Sequence, residues 1–240
     1  MNAPIQDPKF QSAKFALRFL QSGFTVALGS GSTAEVFVKL LAEQIHLGQL
    51  NELTLLSSSE RTSQLAHALG LTLTPLAKIS HAEIGIDGAD EVSLSTRYVI
   101  KGGGGCALRE RLAAELCQRF VIIADASKRS HFLGEKWAVP IDVHPDCLES
   151  ITKALHQAGA SAVELRLKQG QPFITDDHNY ILDTHFGKIA DPATLATTLE
   201  KLKPDGLVGH GLFEMPTDLV LASSETVQHW SWNGSAWQTP

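Results

Sequence analysis

Residues 25–34 read Thr25-Val26-Ala27-Leu28-Gly29-Ser30-Gly31-Ser32-Thr33-Ala34. A short apolar run stops in glycines and hydroxyls, and a helical pattern over 33–44 follows, so the stretch is a strand, a tight loop and a helix start. The unit recurs on both sides. A helical pattern covers 10–21, then strand 53–56, helix 60–69, strands 82–86 and 98–100, helix 107–118 and strand 120–124. Strands separated by helices of this length predict a mostly parallel, doubly wound α/β sheet.

After Lys128 the pattern changes. Strand 138–143, helix 146–158, strands 162–167 and 180–183, helix 192–202 and strand 206–209 follow in the order β-α-β-β-α-β, the split unit of ferredoxin-like folds. The expected division is a larger catalytic domain over 1–130, completed by about 210–240, with a smaller α/β domain over 131–209 inserted in it. Residues 218–221 are expected to return to the first sheet. The tail 228–240 carries three of the four tryptophans, Trp230, Trp232 and Trp237, and is expected to pack on the body or on a subunit neighbour.

Composition narrows the function classes. The longest apolar runs, such as 120–124, fall far short of the ~20 residues needed to cross a bilayer, and residues 1–4 show no leader pattern. A soluble, cytoplasmic protein with no membrane partner is expected. The net charge of −6 comes without a Lys/Arg block, which disfavours nucleic acid. Cys106, Cys117 and Cys147 form no C-x-x-C pair, and the ten histidines form no metal-ligand spacing, so reduced thiols and no metal are expected.

Four segments combine residue types suited to chemistry. In the loop 29–34, glycines permit close backbone approach, and the helix start offers N–H groups with partial positive charge beside three hydroxyls, which suits a phosphate. An ordinary capped turn, or a dinucleotide fingerprint G-x-G-x-x-A with Glu60 as its acid, also fits. Asp87-Gly88-Ala89-Asp90-Glu91 ends a strand with three carboxylates able to converge on a polyol; a solvated Asp-Gly turn is the alternative. Lys101-Gly102-Gly103-Gly104-Gly105-Cys106 lies between an apolar strand and the helix bearing Glu110, a placement that fits a ligand loop better than a linker. Ala124-Asp125-Ala126-Ser127-Lys128 ends another strand, where Lys128 is either a point charge for the ligand or a surface lysine. All four are expected on one edge of one sheet.

Taken in order, these segments, with Lys9, Arg109-Glu110, Thr175-Asp176 and Asn179-Tyr180-Ile181-Leu182-Asp183, resemble the type A ribose-5-phosphate isomerase family. The resemblance implies a Rossmann-like larger domain, a smaller α/β domain, a homo-oligomer (dimer or tetramer), no cofactor, and a small sugar phosphate as substrate. It further implies Glu110 as general base for conversion of ribose 5-phosphate to ribulose 5-phosphate through an enediolate, with Asp87, Asp90 and Lys101 also catalytic. Lys9, Ser30, Gly31, Ser32 and Thr33 would bind phosphate. Asp87, Gly88, Ala89, Asp90, Lys101, Gly102, Gly103, Gly104 and Lys128 would surround the sugar. Ser30 stands where the family often has Thr, and Gly105-Cys106 where alanines are usual. Three rivals remain open on the residues alone: a nicotinamide oxidoreductase, a non-catalytic sugar-phosphate sensor, and an isomerase or deaminase of a related fold.

Overall fold

The structure, a computed structural model, describes residues 7–239. Residues 1–4, read above for a leader, and the last residue of the tail lie outside the described residues. In chain order come α1 (Pro8–Ala16), β1 (Thr25–Leu28), α2 (Gly31–His46), β2 (Thr54–Ser57), α3 (Glu60–Ala68) and β3 (Ala82–Asp87). Then follow β4 (Glu91–Ser93), β5 (Val99–Ile100), α4 (Ala107–Glu115), β6 (Cys117–Asp125) and β7 (Arg129–Ser130). Next are β8 (Val139–Val143), α5 (Leu148–Gln157), β9 (Ala162–Leu165), β10 (Leu167–Lys168), β11 (Gln171–Pro172), β12 (Tyr180–His185) and α6 (Pro192–Glu200). The chain closes with β13 (Leu207–His210), β14 (Leu212–Phe213), β15 (Asp218–Ala222), β16 (Val227–Trp232) and β17 (Trp237–Gln238). Among the described residues no helix is long and apolar enough to cross a membrane.

Contacts divide the chain into two compact units, one of residues 7–89, 109–128 and 215–239, the other of 90–108 and 129–214. The sequence division at 130 kept 90–108 with the first body. Here they join the second, because β4 and β5 pair antiparallel and take β7 and β14 as their outer neighbours.

The first unit is a seven-stranded sheet in the order β17-β16-β15-β6-β3-β1-β2. Its members from β15 to β2 are parallel, while β16 runs antiparallel on β15 and β17 antiparallel on β16. Val26 and Leu28 of β1 pack with Phe37 and Leu41 of α2, while Ala27 clusters on the other side with Leu56 and Ala113 of α4. Both faces are therefore covered by helices, as alternation along a doubly wound strand requires. Phe37 is fully buried, and truncation to Ala costs about 3–5 kcal/mol.

Caps set the helix starts. Asp7 accepts the Lys9 N–H at 3.0 Å with Pro8 in the first helical position, and Ser59 accepts the Thr62 N–H at 3.1 Å. α1 is shorter than the 10–21 pattern, tightening at Leu17–Phe19 into a 3-10 turn. β6 begins at Cys117, inside the span expected to be helical, because Ala82 pairs with Cys117 at the start of the β3 ladder.

Where β6 and β15 run side by side, Arg119 grips Asp218 with two hydrogen bonds of 2.8 and 2.7 Å and lies 4.1 Å over the Phe19 ring. Thr217 and Ser231 each donate a hydroxyl to Asp218 at 2.8 Å, and His229 Nε2 is also 2.8 Å away. Burial pushes this carboxyl up, but the Arg119, His229, Ser231 and Thr217 contacts together hold it at about 2. In the tail, Trp230 is buried, and the Trp232 and Trp237 rings meet edge to face at 5.3 Å.

The second unit holds a four-stranded antiparallel sheet in the order β13-β8-β12-β9. Numbered within the unit, that order is 4-1-3-2 with α5 and α6 as crossovers, the ferredoxin-like arrangement. Ile141, Val143, Leu182 and Leu207 pack with Ile151, Leu155 and Leu199. The small sheet β14-β5-β4-β7 completes the unit, with the β10–β11 hairpin beside β9 in sequence.

Candidate active site

In the first unit, β1, β3 and β6 are sheet neighbours, and the loops at their carboxyl ends carry 29–34, 87–89 and 125–128. This is the edge where ligands collect in open parallel sheets. The Asp87 carboxylate is buried there, accepting the Ser30 N–H at 2.9 Å and the Gly88 N–H at 2.7 Å. Gly29 leaves room for it: a β-carbon on Gly29 would lie 2.2 Å from the Asp87 carboxyl carbon.

Ser30 occupies the cap position of α2, yet its hydroxyl makes no cap hydrogen bond. It donates instead to the carboxylate of Glu110, a buried side chain in the first turn of α4. The start of α2 thus lacks a side-chain cap, which favours an anion. Gly31 has φ +84°, a conformation glycine adopts without steric cost. Lys9 donates to Ser32 Oγ at 2.9 Å, which brings a cation to the same helix start. Thr33 is buried in the first turn, and Lys128 ends the 3-10 turn after β6, partly buried. Beneath the site, burial pushes the Cys117 thiol up to about 12, helped by the negative charge of Asp87. Glu60, the acid of the dinucleotide reading, opens α3 and pairs with Arg109 at 3.7 Å.

In the second unit, Asp90 donates its N–H to Ile100 O at 2.8 Å, and its Oδ2 accepts the Gly103 N–H at 2.7 Å. Lys101 is buried, with its N–H on Gly211 O at 2.9 Å and its ammonium 5.7 Å from the Phe213 ring centre. Gly102 (φ +92°) and Gly105 (φ +83°) bracket a turn closed by the Gly105 N–H on Gly102 O at 3.0 Å. A β-carbon on Gly103 would stand 2.5 Å from Asp90 Oδ1. Gly104, by contrast, is exposed and open.

Two expectations need correction. Three of the four polar clusters share one sheet edge, but Lys101–Gly104 does not, because β5 pairs with β4 and β14 rather than with the parallel sheet. Glu91 does not join Asp87 and Asp90 as a polyol ligand. It is fully buried and accepts the N–H groups of Gly134, Lys136 and Trp137 at 2.9, 3.1 and 3.2 Å, holding the loop before β8. The sequence reading also missed Arg166, whose guanidinium reaches the carbonyls of Gly102 and Gly103.

The sequence model of ribose 5-phosphate isomerase A (phosphoriboisomerase A) matches residues 54–226. A ribose-5-phosphate isomerase A of Chloroflexus aurantiacus is 41% identical over 223 residues, covering 92% of each chain. The chain belongs to the ribose 5-phosphate isomerase A family. Among solved ribose 5-phosphate isomerases, that of Methanocaldococcus jannaschii matches with a TM-score of 0.87 at 31% identity, over 95% of this chain and 99% of that one. A D-ribose-5-phosphate isomerase in complex with phospho-erythronic acid matches with a TM-score of 0.88 at 28% identity, over 97% and 100%.

Proposed function

We propose that this chain interconverts D-ribose 5-phosphate and D-ribulose 5-phosphate through an enediolate, a step of the non-oxidative pentose phosphate pathway. The observation that carries the reading is the buried Glu110 carboxylate, held by the Ser30 hydroxyl at the start of α2, while the N–H of the same Ser30 holds Asp87. Moving a proton between adjacent carbons needs a base that reaches both, and Glu110 takes that role. Asp87 and Asp90 handle the hydroxyl protons. The Lys101 ammonium supports the oxygen on which charge develops.

Both Ser30 donors are engaged inside the protein, so Gly31, Ser32, Thr33 and Lys9 supply the phosphate contacts. Phosphate binding then contributes remote binding energy that orients the reacting carbons. Gly88, Ala89, Gly102, Gly103, Gly104 and Lys128 line the sugar. One relative was solved with phospho-erythronic acid, a sugar-acid phosphate, which supports a ligand of this class. No cofactor is invoked. The working form is a cytoplasmic homo-oligomer, dimer or tetramer, which light scattering would size.

The test is ketose formation from ribose 5-phosphate by purified protein with chelator present. Glu110→Gln is expected to fold and bind yet lose about 10²–10⁴ in turnover. Near-normal turnover would remove Glu110 from the base role. Binding without turnover in the unaltered protein would instead indicate a sensor.

A further inference from the structure

We infer that Arg166 is a positioning residue that fixes the glycine loop, and through it the Asp90 carboxylate; the inference rests on the isomerase reading above. Arg166 follows β9, and its Nη1 donates to Gly102 O at 3.1 Å and Gly103 O at 3.0 Å. Its other nitrogens are committed to Asp183 of β12, Nε at 2.9 Å to Oδ2 and Nη2 to Oδ1. A planar guanidinium held on one side by a bidentate carboxylate has little freedom left on the other. Its remaining donor is therefore aimed by β12 rather than by solvent.

The consequence passes through one peptide. Anchoring Gly102 O and Gly103 O sets the peptide planes on both sides of Gly103, and the Gly103 N–H is the group that holds Asp90 Oδ2 at 2.7 Å. A second contact from the same segment reinforces the first. The Arg166 carbonyl accepts the Phe173 N–H at 2.8 Å, and the Phe173 ring fills the space a β-carbon on Gly105 would need, 2.4 Å away. The loop is thus held at Gly102, Gly103 and Gly105, and nothing that touches substrate is required of Arg166 itself. Thr175 closes a turn with Asn179, its carbonyl partner accepting at 3.0 Å, and β12 then delivers Asp183 to Arg166.

The experiment compares Arg166→Ala and Asp183→Asn with the unaltered enzyme, measuring kcat, KM for ribose 5-phosphate, circular dichroism, and recovery of activity on adding guanidinium below denaturing concentrations. For Arg166→Ala the expected result is a loss of about tenfold or more in kcat, a change in KM within about threefold, and partial rescue by guanidinium that the unaltered enzyme does not show. A folded Arg166→Ala with kcat near that of the unaltered enzyme overturns the inference, as does a kcat loss that guanidinium leaves untouched. If Arg166→Ala does not fold, Asp183→Asn decides: a lowered kcat supports the clamp and an unchanged one overturns it. Failure of the isomerase reading is separate, since the unaltered enzyme would then show no turnover.

Discussion

The Asp87 carboxylate occupies the space that a side chain on Gly29 would need, with the carboxyl carbon 2.2 Å from the β-carbon position. Asp87 is buried, and its Oδ1 is tied to the Ser30 and Gly88 N–H groups, so displacing it breaks both contacts. Gly29→Ala is expected to cost about 1–3 kcal/mol in urea unfolding and to depress turnover by displacing Asp87. Gly104→Ala meets nothing among the described residues within 4 Å and is the control, with stability unchanged within about 0.5 kcal/mol.

Ser30 separates capping from site chemistry. Its hydroxyl serves Glu110 and not the helix, so Ser30→Ala leaves a buried carboxylate short of a donor, a loss of about 1–3 kcal/mol, with a fall in kcat. Ser30→Thr keeps the hydroxyl and is expected to retain most activity. Equal kinetics for the Ala and Thr variants would contradict the role given to the hydroxyl.

Acid should find Asp218. Its folded pKa of about 2 lies below its ordinary 3.8, so its ion pair stabilises the protein fully above about pH 5. That stability, about 2 kcal/mol, is lost as pH falls through 3.8 toward 2. Asp218→Asn is therefore expected to be less stable than the unaltered protein at pH 7, with the gap closing on acidification. A gap constant from pH 7 to pH 3 in urea titrations would argue against the pairing.

Cys117 is expected to resist alkylation. With its thiol pushed up to about 12 and donating to Ala113 O at 3.1 Å, the thiolate is scarce at pH 8. Iodoacetamide should leave Cys117 unmodified in the native protein and modify it in urea, by peptide mass spectrometry. Rapid native labelling would contradict the burial described.

The parallel sheet and the split ferredoxin-like unit were legible because each rests on local apolar patterns and short connections. The loop 29–34 was legible for the same reason, since its glycines and hydroxyls sit between a clear strand and a clear helix. What escaped was non-local. β5 is two residues long, and its partner Phe213 lies more than a hundred positions onward, so nothing near Val99 marks it as outside the main sheet. Glu91 reads as a third site carboxylate until the amides of 134–137 are found on it. Arg166 carries no motif of its own, and only the fold brings its guanidinium to Gly102 and Gly103. The turn 175–179 shows the intermediate case: it was noticed as a stretch, but its link through Asp183 needed β12 in place.

The place of β15 has a consequence for how the chain is made. β6 lies between β3 and β15 in the sheet, so while synthesis runs from 126 to 217 the strand Phe120–Ala124 has its β3 side paired and its other side bare. An apolar edge with unpaired amides and carbonyls is a template for pairing with another chain. The second unit ends at 214, so the edge closes only when residues 218–222 join the sheet. Nascent chains stalled before 218 should therefore self-associate, and release of the final strands should end it.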